Sequence, residues 1–301
     1  MSPTPRQTLS YLMARLAEAG IRPRAARGQN FLIDLNLLGV LIDAAELDRN
    51  DVVLEVGTGT GSLSVMIAAR AAALVTVEID PALAELARGQ LAALPNVTLM
   101  QCDALRGKNR MNDEVLAEVD RRLRAAPGRR WKLVANLPYQ VATPILGNLL
   151  TLDRPPHSMT VTIQKELADR IVAAPGTRDY GALSVWVQSQ CRVEILRTLP
   201  PEVFWPRPKV ASAFVRAVID PRRRERIGDR QFFHEFVRSM FLHRRKYLRS
   251  ELLSATKGRL GKPEVDAVLR EAGFEPERRA EQLDVAALVR LCELVRRRLE
   301  P

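Results

Sequence analysis

Short apolar runs alternate along most of this chain with stretches whose apolar residues recur every three or four positions. Residues 7–19 and 35–47 carry the helical spacing, with the polar-aromatic segment Gly28-Gln29-Asn30-Phe31-Leu32 between them. An apolar run at 52–56 then meets a glycine turn, Gly57-Thr58-Gly59-Thr60-Gly61. Helical spacing follows at 62–73 and a second strand-like run at 74–79. Residues 81–91 are predicted to be a helix with Asp80 as N-cap and Pro81 in its first position. Further strands are predicted at 97–101, 132–136, 159–164, 193–199 and 213–218. Such alternation predicts an α/β fold, a doubly wound parallel sheet with ligands at the carboxyl ends of its strands. The long basic segment 106–130 reads as a surface excursion, with Asn112 placed to cap a helix reaching Leu123.

After Asp220 the strand pattern stops. Arg222-Arg223-Arg224-Glu225-Arg226 reads as a solvated linker. Only helical spacing follows, through Phe232, Phe233, Phe236, Val237 and Met240, then Val265, Val268 and Leu269, then Val285, Leu288, Val289, Cys292 and Val295. The expected division is therefore a catalytic-type domain at 1–219 and a small domain of four or five helices at 220–301.

Composition adds a partner class. The 301 residues carry a net charge of +11. Up to residue 199 there are 23 Lys and Arg against 20 Asp and Glu, a net +3; from 200 onward there are 23 against 15, a net +8. A basic C-terminal third suits a polyanion, nucleic acid being the commonest, and equally suits an arginine-rich solvated surface. The three cysteines, Cys102, Cys191 and Cys292, lie far apart, which argues against a disulfide framework or a zinc site and for a reducing compartment. The three histidines are scattered, so no metal is expected. No apolar run has the length of a membrane span, and the first thirty residues hold no secretory apolar region. A cytoplasmic, monomeric protein is expected.

The glycine turn gains meaning from two acids. Glycines at 57, 59 and 61 let a strand turn sharply and let backbone approach a ligand. Glu78 ends the second strand, where a carboxylate accepts ribose hydroxyls; Asp103 ends the third, where it can accept an adenine amine. Either acid alone would read as a turn cap. Together they point to a bound nucleoside. A nicotinamide dinucleotide is the competitor, but its pyrophosphate wants G-x-G-x-x-G, and the spacing here is G-x-G-x-G.

The tetrapeptide Asn136-Leu137-Pro138-Tyr139 ends the fourth predicted strand. The exocyclic nitrogen of adenine is a poor nucleophile because its lone pair is delocalised into the ring. Two acceptors holding its two hydrogens would localise that pair. The Asn136 side-chain oxygen is one; the backbone carbonyl of Leu137 or Pro138 is the other, held by the restricted Pro138 backbone. Tyr139 would supply a stacking face, worth about 1–3 kcal/mol per base.

These blocks resemble the ribosomal RNA adenine dimethyltransferase family, in its KsgA/RsmA branch. The likeness covers nearly the whole chain. It includes Gly28-Gln29-Asn30-Phe31-Leu32, Gln164-Lys165-Glu166-Leu167-Ala168-Asp169-Arg170, Pro175-Gly176-Thr177-Arg178-Asp179-Tyr180-Gly181, Phe204-Trp205-Pro206-Arg207-Pro208-Lys209-Val210, Arg244-Arg245-Lys246-Tyr247-Leu248-Arg249 and Arg279-Ala280-Glu281-Gln282-Leu283. The resemblance implies a Rossmann-like class I methyltransferase sheet with a small all-helical C-terminal domain. It implies S-adenosylmethionine as cofactor and four methyl transfers to two adjacent adenosines, in a hairpin near the 3′ end of small-subunit rRNA within a pre-30S particle. The cofactor set it implies is Gln29, Asn30, Leu32, Gly57, Gly59, Gly61, Glu78, Ile79, Asp103, Ala104 and Asn136. Asn136, Leu137, Pro138 and Tyr139 would hold the target adenine. Phe204 would border the base pocket; physically it reads equally as a second stacking face or a core hydrophobe. The chain departs from the family in the length of 104–135 and in Gln140, where Asn is usual.

Lys209, Arg244, Arg245, Lys246 and Arg249 are the expected RNA-binding residues. A solvated helix end is the default for such a run; an RNA substrate and the +8 charge turn it toward phosphate contacts. Two rivals stay open, a related enzyme of the antibiotic-resistance type acting on large-subunit rRNA and a non-catalytic ribosome assembly factor.

Overall fold

The computed structural model describes residues 9–23, 28–243 and 245–299. In chain order its elements are α1 (Leu9–Glu18), β1 (Phe31–Leu32), α2 (Leu35–Ala44), β2 (Asp51–Val56), α3 (Ser62–Arg70), β3 (Ala73–Glu78), α4 (Pro81–Leu91) and β4 (Val97–Gln101). Next come α5 (Asp113–Arg124), β5 (Arg130–Asn136), α6 (Tyr139–Thr151), β6 (Ser158–Gln164), α7 (Lys165–Val172), α8 (Ala182–Gln188) and β7 (Cys191–Leu199). The remainder is β8 (Phe204–Trp205), β9 (Ser212–Ile219), α9 (Pro221–Arg224), α10 (Arg230–Met240), α11 (Leu248–Ala255), α12 (Lys262–Ala272) and α13 (Val285–Leu299).

The sheet runs β4-β3-β2-β5-β6-β9-β7. Strands β4 through β6 pair in parallel, as the alternation predicts, but β9 pairs antiparallel to β6, from Ser158↔Val218 to Gln164↔Ser212. The sheet is therefore mixed. No α-helix stands between β9 and β7, the sheet strand before it in the chain, to return the chain in parallel. Every residue of β2 and β3 is buried, as expected of parallel strands covered on both faces. Lys132 tolerates such burial because its Nζ lies 2.8 Å from Asp51 Oδ2 and donates to the carbonyls of Ala45 (3.2 Å) and Glu46 (2.7 Å). That ion pair sits at the amino ends of the strands and leaves the carboxyl ends to the glycine turn.

The expected caps form. Asp80 accepts from the backbone N–H of Ala82 and Leu83, and Asn112 from that of Glu114. The basic excursion is largely self-neutralised: Arg106 and Arg110 pair with Asp113, Arg121 and Arg122 with Glu118, and Arg124 with Asp120.

The described residues fall into two compact units, one within Met1–Ala168 and Glu194–Val218, the other within Asp169–Val193 and Ile219–Pro301. The expected boundary at 219/220 lies at one edge of the second unit, which also takes 169–193. Its core explains why. Trp186 of α8 is 2% exposed and packs on Phe233 and His234 of α10, and the Tyr180 hydroxyl donates to the Leu283 carbonyl at 2.9 Å. The arginine run after Asp220 is not a plain linker. Pro221–Arg224 is a helical turn capped by Asp220, Arg224 is buried against Gln190, and Arg223 donates to the carbonyls of Gln188 and Cys191 at 2.9 Å each.

Candidate active site

A cavity of about 520 Å³ opens at the carboxyl ends of β2, β3, β4 and β5. That volume is ordinary for a small-molecule site. Residues 28–32, 55–60, 77–79 and 102–105 line it, with Asn136, Pro138, Gln140 and Val141. Of the expected cofactor residues it brings together Gln29, Asn30, Leu32, Gly57, Gly59, Glu78, Ile79, Asp103, Ala104 and Asn136.

Gly61 is the exception. It is the N-cap of α3 at φ 83°, and a side chain there would meet Gln90 and Ala87 of α4 rather than the cavity. Its glycine serves the strand-to-helix turn. Gly57 and Gly59 also have positive φ, 87° and 55°. A Cβ at Gly57 would stand 3.2 Å from Pro138 Cδ, and one at Gly59 3.0 Å from Phe31 Cε1. The turn is thus packed directly against the two segments that flank it in space.

Glu78 closes this turn. Its two carboxylate oxygens accept from the backbone N–H of Gly59 and of Asp80, both at 2.9 Å. Burial raises its pKa above the ordinary carboxylate value despite those bonds. Asp103 accepts from Leu105 N–H through Oδ1 at 2.9 Å, which leaves Oδ2 for a ligand. Ile79 is 63% exposed, an unusual position for isoleucine and an apolar face for a planar ring.

Beneath the turn lies a network absent from the sequence reading. Glu55 accepts from the hydroxyls of Ser64 (2.5 Å) and Thr76 (2.6 Å), and Thr76 is 2.6 Å from the Thr58 hydroxyl. Burial pushes the Glu55 carboxyl up to about 8. An acid near the end of an apolar strand was the available signal; its two hydroxyl partners come from α3 and β3.

Asn136, the last residue of β5, ties that strand to the segment 28–32. Its Nδ2 donates to the Asn30 carbonyl at 3.0 Å, which fixes the amide and presents Oδ1 as an acceptor. The Asn30 Oδ1 is buried with no partner, an orphan that a ligand amine or hydroxyl would satisfy. The Pro138 carbonyl accepts from Val141 N–H at 3.1 Å, so of the two expected backbone acceptors Leu137 is the one left for a ligand. The Leu137 side chain is buried, and Tyr139, between the lining residues Pro138 and Gln140, has its hydroxyl 2.6 Å from Ser212 Oγ.

Phe204 takes the core-hydrophobe place of its two expected readings. It is 2% exposed and packs in the apolar core with Leu32, Leu38, Val134, Leu199 and Phe214. Strand β8 pairs antiparallel with β1, Leu32 opposite Phe204, which turns that ring inward while Trp205 packs with a second cluster around Leu12 and Leu16. Of the expected RNA residues, Lys209, Arg245 and Lys246 are exposed. Arg244 lies outside the described residues. Arg249, its side chain 41% exposed, is ion-paired with Asp266 of α12. No helix among the described residues is long and apolar enough to cross a membrane.

A profile of the family described as "Ribosomal RNA adenine dimethylase" matches residues 21–294. The chain is 38% identical over 278 residues to "Ribosomal RNA small subunit methyltransferase A" of Geobacillus thermodenitrificans, covering 92% of each. It is 38% identical over 267 residues to the protein of the same name from Bacillus mycoides, covering 88% of this chain and 89% of that one. Among solved structures, a dimethyladenosine transferase from Plasmodium falciparum superposes with a TM-score of 0.69 at 22% identity, covering 85% of this chain and 94% of its own. The 23S rRNA methyltransferase ErmE gives 0.59 at 23%, covering 88% and 99%. The two likenesses in structure establish the fold, a Rossmann-like methyltransferase sheet. Matched over nearly its whole length, the chain belongs to the ribosomal RNA adenine dimethylase family.

Proposed function

We propose that this protein dimethylates two adjacent adenosines in a hairpin near the 3′ end of small-subunit rRNA, with S-adenosylmethionine as methyl donor. The name of its bacterial relatives supports the choice of subunit. The observation that carries the chemistry is the Asn136–Asn30 bond, which aims an amide oxygen beside the glycine turn.

The residues present fit the cofactor. Glu78 and Asp103 would take its ribose hydroxyls and its adenine amine, Ile79 would lie along its ring, and the turn at Gly57 and Gly59 admits its chain. Bound there, it supplies an electrophilic methyl on a sulfonium. Asn136 Oδ1 accepts one hydrogen of the target amine, and the Leu137 carbonyl accepts the other. Both acceptors are set before substrate arrives, so no reorganisation is needed at the moment of transfer. The amine proton leaves to solvent afterwards. Tyr139 walls the base, and Arg245, Lys246 and Lys209 contact phosphates. The proposed substrate form is a pre-30S particle, met in the cytoplasm by a monomer.

The test is transfer of labelled methyl to undermethylated small-subunit particles, followed by nuclease digestion and mass analysis. N6,N6-dimethyladenosine at two neighbouring 3′-end positions is expected. Label on large-subunit RNA alone would select the resistance-type activity. Particle binding without transfer would select an assembly factor.

A further inference from the structure

Tyr139 is the first residue of α6, and Ser212 is the first residue of β9. Their hydroxyls lie 2.6 Å apart although the residues are separated by 73 positions. The bond reaches from the end of β5 across β6 to β9. Both ends are held by backbone: Leu137 N–H donates to the Thr162 carbonyl at 3.2 Å, and Lys165 N–H to the Ala211 carbonyl at 2.9 Å. Ser212 is fully buried and pairs in register with Gln164. It therefore has one position to offer, and the Tyr139 ring is fixed both at its Cβ and at its hydroxyl. Burial raises the Tyr139 pKa, so the phenol stays neutral through the physiological range.

A ring that only stacked would need no hydroxyl. A ring that must stand at a set angle beside a reacting amine gains from a second point of attachment, because small misplacements at a reacting centre cost rate. We propose that Ser212 is a positioning residue for methyl transfer, its hydroxyl holding the Tyr139 ring in the orientation that flanks the target adenine. The inference rests on the reading of residues 136–139 as the target-base site.

The test compares wild type, S212A, Y139F and the double variant. Cofactor affinity is measured by calorimetry, kcat and KM on undermethylated particles, and the folded fraction by circular dichroism. Each single variant should lose kcat on the order of tenfold to a hundredfold. Cofactor Kd should stay within about twofold, and the double variant should be no worse than the poorer single, because both remove one contact. Unchanged kcat in S212A and Y139F, loss in step with cofactor affinity or folded fraction, or effects that multiply in the double variant would each overturn the inference. If S212A does not fold, Y139F deletes the same bond from the other side and decides alone. Inactive wild type overturns the underlying reading and the inference with it; active wild type with unimpaired variants overturns the inference alone.

Discussion

The Asn136 amide nitrogen donates to the backbone carbonyl of Asn30, 3.0 Å away and 106 residues earlier in the chain. In the proposed reaction this bond decides which end of the amide would face the target amine. Replacement by alanine removes the acceptor and frees the Asn30 loop. Asn136→Ala should lower single-turnover methyl transfer by on the order of a hundredfold or more. Cofactor affinity, measured by calorimetry, should fall much less, since most of the cavity wall is untouched. Transfer at the wild-type rate would remove Asn136 from the mechanism.

The glycine turn and the target motif touch at Gly57 and Pro138. A methyl group at 57 would meet Pro138 Cδ at 3.2 Å and would sit at φ 87°, which costs an L residue about 1–2 kcal/mol. Gly57→Ala should therefore raise the cofactor Kd and lower kcat together. A variant in which only Kd moves would show that the turn does not transmit strain to Pro138.

Glu55 makes stability depend on pH with a definite sign. Its carboxyl is raised from 4.5 to about 8 by burial. The folded state binds the proton more tightly than the unfolded chain, so the contribution is fully present below pH 4.5 and is lost as pH rises through about 8. Glu55→Gln mimics the neutral form. Its melting temperature should change less than that of wild type from below pH 4.5 to above about pH 8, and the two curves should separate as pH rises. Parallel curves would mean that Glu55 is ionised in the fold.

The cations between 245 and 249 are predicted to divide by partner. Neutralising Arg245 or Lys246, both exposed, should flatten the salt dependence of RNA binding by about one unit for each lost phosphate contact. Arg249→Ala should leave that slope unchanged, because its guanidinium is committed to Asp266. Its cost in stability should stay within about 1 kcal/mol, as for other solvent-accessible pairs. An equal loss of slope in all three variants would place Arg249 on RNA as well.

Much of the sheet was legible because buried parallel strands such as β2 and β3 are mostly apolar runs, and the expected strand at 97–101 and helix at 81–91 agree residue for residue with the half-buried edge strand β4 and with α4. Asp80 and Asn112 announced their helices for a local reason: a capping side chain bonds N–H groups two or three residues away. The antiparallel turn of β9 carried no such mark, since the apolar residues of a strand do not record its direction.

Residues adjacent in the chain were enough to locate the main strands to within a residue or two, the glycine turn, the acids Glu78 and Asp103 and the tetrapeptide from Asn136 to Tyr139. Tertiary structure alone decided that Gly61 caps a helix, that Phe204 belongs to the core, that residues 169–193 join the C-terminal helices, and that Tyr139 is tied to Ser212. Those outcomes rest on partners tens of residues away. A side chain's type restricts what it can bond or bury, but which partner arrives is set by the packing of the elements that carry them.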